Sequence, residues 1–249
     1  MSARTIEYLH ATIRRALGQA LKWGLVPRNV ATLVDSPRVQ RREIEPLDPS
    51  DARLLLAAVR DNRMEALYSV ALSVGLRKGE ALGLHWKDID IETGTLSVRT
   101  SLQRIGGRLQ LVEPKSSRSR RVIFLPDATV EALRRHRARQ QQERLLEEPR
   151  WHDTGLVFTT KIGIPFDPRN VTRHFKKILT NAGLPQKRFH DLRHTCASLL
   201  LVQGVNPRVV MEVLGHSQIS LTMDTYSHVI PEVQQDAAEL MNALLKEKN

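Results

Sequence analysis

A single cysteine, Cys196, in 249 residues excludes an internal disulfide framework and any cysteine-rich zinc site, which fits a reducing compartment. Cys196 itself is expected in the core. Aromatic residues make up only 4% of the chain, too few for the stacking platforms of single-strand binding. No apolar run approaches the roughly 18 residues a membrane span needs. The N-terminus, MSARTIEYLHATIRRAL, also lacks the unbroken apolar stretch of a signal peptide, so a cytosolic protein with no membrane partner is expected. Internal repeats and glycine-rich nucleotide-binding signatures are absent as well. What is abundant is positive charge: 38 Lys+Arg stand against 27 Asp+Glu, for a formal charge of +11 and a pI near 10.3. That excess predicts a polyanionic partner, and with so few aromatics it points to duplex phosphates. Charge alone does not separate a DNA enzyme from a DNA-binding module. With 41% hydrophobic and 26% charged residues the chain is globular, and its length suits one large domain or one domain plus a fragment.

The chain divides by composition. Ile6, Leu9, Ile13, Ala16, Leu17, Ala20 and Leu21 recur at helical spacing, predicting an amphipathic helix over 5–22 that stops near Gly24 and Pro27. From Asp35 to Pro49, three prolines (Pro37, Pro46, Pro49) and Arg38, Arg41 and Arg42 mark a linker. Residues 1–34 are therefore expected to be the tail end of a helical domain whose remainder is absent from this chain, with 35–49 as linker, 50–230 as the main domain and 231–249 as a terminal helix. Asp48-Pro49-Ser50 reads as cap and first turn of a helix running to Val59, followed by a helix over about 64–74. Between Gly94 and Leu125 the period changes. Alternating Leu96, Val98, Thr100 and Leu102, then Leu109 and Leu111, then Val122 and Phe124, broken by Gly106-Gly107 and the basic run Lys115 to Arg121, predict three short antiparallel strands. Helices are expected near 127–147, 168–182, 191–203, 207–214, 220–228 and 231–246. The fold class is mainly α with a small antiparallel β-sheet.

Four segments carry residues suited to chemistry. In Gly75-Leu76-Arg77-Lys78-Gly79-Glu80, an arginine lies in a glycine-flanked turn where its planar guanidinium can meet a phosphate, and Glu80 can orient it or a neighbouring histidine. In His190-Asp191-Leu192-Arg193-His194, His190 and Arg193 fall about one helical turn apart and can face one phosphate. The histidine pair also has the spacing of a zinc pair, but Asp191 is one methylene short of the glutamate base, and Arg193 would repel a cation. A helix ending at Gly215 exposes His216 just past its cap, and Tyr226 follows ten residues later. The arrangement from Leu199 to Leu214 also has the form of a helix-turn-helix DNA reader.

Taken together, these pieces resemble the catalytic domain of the tyrosine recombinases, the phage-integrase family, over roughly residues 40–235. The matching stretches are GLRKGEALGL (75–84), PKSSRSRRVIFLP (114–126), FHDLRHTCASLLL (189–201) and VMEVLGHSQISLTMDTYSHV (210–229). The opening helix and Trp23-Gly24-Leu25-Val26-Pro27-Arg28-Asn29 resemble the end of the family's core-binding domain. The resemblance implies six active-site residues, Arg77, Lys115, His190, Arg193, His216 and Tyr226, with Glu80 as acidic support.

It also implies a site-specific recombinase that cleaves and rejoins duplex DNA through a 3′-phosphotyrosyl intermediate, with no cofactor and no metal. The expected setting is a bacterial cytoplasm, at the nucleoid when DNA-bound, in the service of a prophage or other mobile element. Expected partners are double-stranded DNA, further copies of the chain in a tetramer on paired sites, and accessory DNA-bending or directionality factors. The tail stripe Val233, Ala237, Leu240, Met241 and Leu244 suits docking on a neighbouring protomer. Two alternatives stand beside this reading: a type IB-like topoisomerase and a non-catalytic helix-turn-helix binder.

Overall fold

Ser2 accepts the Thr5 amide on its hydroxyl and so opens the first helix, α1 (Ala3–Lys22). The computed structural model describes residues 1–39, 45–113 and 120–215. By internal packing the chain forms two units, Met1–Glu43 and Ile44–Asn249, and the cut falls inside the proline-rich stretch at 35–49. In the first unit α1 ends at Trp23, and a 3-10 turn, Val30–Leu33, follows. His10 donates to the Ala31 carbonyl at 2.9 Å and Asn29 to the Arg14 carbonyl at 2.8 Å, folding the turn back on the helix. No residue of α1 is buried, so its apolar stripe contributes little packing energy within this unit.

The second unit is built around one short helix. Asp48 caps α2 (Pro49–Ala58), and α3 (Glu65–Ser73) follows with eight of its nine residues buried. Around α3 pack α2, α4 (Lys78–Leu82), α5 (Asp127–Leu146) and α7 (Asp191–Val202). Each fully buried leucine here, such as Leu67, contributes roughly 1.5–3 kcal/mol. Glu65 is buried too, and Arg135 of α5 supplies its counter-charge at 2.6 Å. Asp167 caps α6 (Pro168–Asn181) and Asn206 caps α8 (Pro207–Leu214), each with proline at the first helical position as the sequence predicts. Cys196, Ala197 and Leu201 of α7 meet Val210 and Leu214 of α8 in a small core of their own. Cys196 is buried as expected, and burial pushes its thiol up to about 12. The helices expected near 220–228 and 231–246, with the tail stripe, lie outside the described residues.

Among the described residues, the stretch expected to form three strands holds four, and one more precedes it. β1 (Ile89–Asp90), β2 (Thr95–Val98) and β5 (Arg121–Phe124) form one antiparallel sheet in the order β1-β2-β5, and β3 (Ser101–Ile105) with β4 (Arg108–Val112) forms a separate hairpin. The alternating run from Leu96 to Leu102 breaks at Arg99-Thr100, where the Thr100 hydroxyl donates to the carbonyl of Gly83, the residue that caps the end of α4. Beyond that point β3 lies against α4. A Cβ at Gly79 would sit 2.9 Å from the Leu102 carbonyl oxygen, and one at Gly83 2.9 Å from the Leu102 nitrogen, so the approach needs both glycines. In β5 the apolar alternation faces outward: Val122 and Phe124 are exposed, while Arg121, Ile123 and Leu125 turn inward.

Candidate active site

The Arg77 turn starts at Gly75, whose φ of +63° is open only to glycine at low cost. Arg77 then takes the N-cap position of α4 with extended backbone. Glu80, in the third position of the helix, accepts the Arg77 backbone N–H on Oε2 at 3.1 Å and the Arg77 Nη1 on Oε1 at 2.7 Å. Of the two roles open to Glu80, the structure therefore gives it the arginine. Arg77 Nη2 donates to the Gly215 carbonyl at 3.3 Å. With 40% of the Arg77 side chain exposed and 5% of Glu80, the cation faces outward and its anion is shut in. Burial pushes the Glu80 carboxyl up, but the Arg121 and then the Arg77 guanidinium outweigh it and hold the group below its usual range.

The second piece is the start of α7. Phe189 anchors it in an aromatic cluster, its ring 6.1 Å from Tyr68 and 5.8 Å from Phe175. Asp191 accepts the Arg188 amide at 2.7 Å and its guanidinium at 2.8 Å, so this carboxylate is taken up locally. His190 occupies the N-cap position and is exposed. Arg193 is only 2% exposed and donates to the Gly75 carbonyl at 2.9 Å. The two do not share one accessible face as the spacing suggests, because α7 turns Arg193 into the protein toward the Arg77 turn. Partial desolvation of the His190 ring, then the Arg193 and Arg77 charges, lower its pKa below the usual histidine value. The His194 ring stacks edge-on against it with centroids 5.1 Å apart, and burial followed by the His190 charge lowers His194 to about 4.

Arg77, His190 and Arg193 thus gather around the Gly75–Arg77 turn. Lys115, His216 and Tyr226 lie outside the described residues. Gly215, the left-handed cap that ends α8, brings the chain to Arg77 immediately before His216. One site residue escaped the sequence reading. Arg121 was grouped with the basic run, yet its guanidinium is 7% exposed and reaches Glu80 at 3.0 Å. The signal that could have found it is the period of β5, which places Arg121 on the same face as Ile123 and Leu125. Among the described residues, no three His, Cys, Asp or Glu form a metal-binding group, and no helix is long and apolar enough to cross a membrane. Two guanidinium groups beside an unprotonated imidazole make a site that can clamp a phosphate and accept a proton.

The sequence profile of the phage integrase family matches residues 45–232. An integrase of Saccharopolyspora erythraea is 33% identical over 96% of this chain and 66% of its own length. A XerC-like tyrosine recombinase of Caldanaerobacter subterraneus subsp. tengcongensis is 34% identical over 98% of this chain and 67% of its own. This chain therefore spans about two thirds of the length of these relatives. In three dimensions it is similar to the Tn1549 transposon integrase solved in complex with transposon right end DNA, with a TM-score of 0.80 and 23% identity over 97% of this chain and 80% of that one. The likeness is one of fold, and these names favour neither a type IB topoisomerase nor a non-catalytic helix-turn-helix binder.

Proposed function

Because this chain belongs to the phage integrase family, we propose that it is a tyrosine-type site-specific recombinase acting on double-stranded DNA for a prophage or other mobile element. The observation that carries the reading is the convergence of Arg77, Arg193 and His190 on one turn, with the residue before His216 hydrogen-bonded to Arg77. Tyrosine, with a pKa of about 10, is only about 0.1% phenolate at pH 7, so attack on a phosphodiester needs activation. Arg77 and Arg193 grip the non-bridging oxygens and offset the charge that builds as phosphorus becomes five-coordinate. His216 donates a hydrogen bond to the same oxygens. His190, kept neutral by its lowered pKa, accepts the Tyr226 proton. Lys115 protonates the departing 5′ oxygen, which leaves a 3′-phosphotyrosyl bond and a free 5′-hydroxyl. Attack by the 5′-hydroxyl of another strand reverses the step and rejoins the DNA without ATP.

In this reading the arginines supply the charge clamp, and no cofactor enters. Four copies assemble on paired sites, with accessory bending or directionality factors, in a bacterial cytoplasm. The test is a duplex nicked so that the cleaved end is lost. The chain should accumulate a covalent protein–DNA adduct on it, and Tyr226→Phe should accumulate none. An adduct undiminished in Tyr226→Phe removes Tyr226 as the nucleophile. Intact DNA binding with no adduct in either protein would return the chain to the binding-module reading.

A further inference from the structure

We propose that Arg121 is a positioning residue of this site, holding Glu80, and through it Arg77, in register with the end of α8. The inference rests on the recombinase reading above. Arg121 opens β5, and its main chain is fixed by pairing with Val98 of β2. Its Nη2 donates to Glu80 Oε2 at 3.0 Å and its Nε to the Val213 carbonyl at 2.7 Å. The guanidinium lies against Gly215, where an added Cβ would come within 2.8 Å of Nη1 and 3.1 Å of Cζ. Its neighbour in the same basic run behaves differently: Arg120 is exposed and pairs loosely with exposed Glu113 at 3.4 Å.

Three strands of the chemistry therefore pass through one buried cation. The segment bearing Lys115 runs directly into β5, Glu80 leads to Arg77, and Val213 and Gly215 lead to His216. Charge explains why a second arginine is needed. Glu80 has two oxygens, of which Oε1 takes Arg77 Nη1 and Oε2 is shared between Arg121 and the Arg77 amide. Without Arg121, the buried carboxylate has, among the described residues, only Arg77 to satisfy both oxygens, and a bidentate pair would draw the Arg77 guanidinium inward, away from a phosphate. Arg121 keeps that pair monodentate and leaves Arg77 donors for substrate.

The experiment measures single-turnover adduct formation on the nicked duplex at saturating DNA, together with affinity for intact duplex, for the full chain and for Arg121→Gln, Arg121→Lys, Glu80→Gln and the double variant Arg121→Gln/Glu80→Gln. Arg121→Gln should slow adduct formation about 10²-fold, the scale of a displacement of about 1 Å in a catalytic group. Its Kd for duplex should change by less than about threefold. Arg121→Lys, which keeps the cation, should recover roughly tenfold of that loss. The double variant should be no slower than Arg121→Gln, because removing the orphaned charge relieves the pull on Arg77. Wild-type rates in Arg121→Gln would overturn the inference. So would equal losses in Arg121→Gln and Arg121→Lys that multiply with that of Glu80→Gln, the pattern of a merely structural residue. Absence of an adduct in the wild-type chain would instead overturn the recombinase reading itself.

Discussion

Arg77 stands at the cap of α4 with 40% of its side chain exposed and a carboxylate gripping it, whereas Arg193, in the first turn of α7, is 2% exposed and tied to the main-chain carbonyl of Gly75. The first anchor is made of side chains and carries charge. A guanidinium held that way can adjust, but its position depends on how many cations share the anion. The second anchor is a main-chain carbonyl, which fixes position and makes the arginine part of the core. In the recombinase reading, the proposed phosphate clamp therefore combines an adjustable jaw and a fixed one.

Replacing each jaw with alanine should produce the largest effects and separate them. Either variant should lose about 10²- to 10³-fold in adduct formation, as when one charge-stabilising donor is removed. Arg193→Ala should also lose the more stability, by about 1–3 kcal/mol, because it orphans the buried Gly75 carbonyl, whereas Glu80 keeps Arg121 when Arg77 is removed. Denaturant melts of both variants decide this, and an equal loss of stability in Arg77→Ala would erase the distinction.

A smaller effect sharpens the chemistry of the fixed side. The lowered His190 pKa means the ring stays neutral, and able to accept a proton, at pH values below the usual 6.5 or so. Adduct formation should therefore be flat near neutrality and fall only as pH drops through that lowered value. His190→Gln should cost about 10²-fold and remove this acid limb. A limb centred above 6.5 would mean that neither the partial desolvation of the ring nor the Arg193 and Arg77 charges govern its titration.

The smallest effect tests the seam between the two jaws. Gly75→Ala must adopt φ of +63° and bring a Cβ to 2.4 Å from Leu214 Cδ2. It should destabilise by about 1 kcal/mol or more. Because the Gly75 carbonyl holds Arg193, adduct formation should fall by more than the unfolded fraction explains, while salt-dependent binding to intact duplex persists. A loss that follows the unfolded fraction alone would show that Arg193 does not depend on this carbonyl.

Local signals made most helix ends readable. Asp48-Pro49, Asp167-Pro168 and Asn206-Pro207 each supply a capping oxygen and a first-turn proline, and helices begin there, whereas α1 starts two residues ahead of the expected position, capped by Ser2. Gly215 ends α8 for an equally local reason. The sheets were misread because Thr100 looks like one more alternating residue until the Gly83 carbonyl is beside it. Arg121 was missed for the same kind of reason. In sequence it is the last of a basic run, and nothing local says that Glu80, 41 positions away, will claim it.

The sequence by itself determined the class of chemistry, since arginine, histidine and glutamate types in ordered motifs, with an excess of positive charge, are properties of the chain that need no coordinates. Tertiary structure alone decided which charge answers which. Glu80 went to Arg77 and Arg121 rather than to a histidine, and Arg193 went to a backbone carbonyl rather than outward beside His190. Pairing of buried charges is settled by long-range proximity in a low-dielectric interior, where each desolvated group must find its partner across elements distant in sequence.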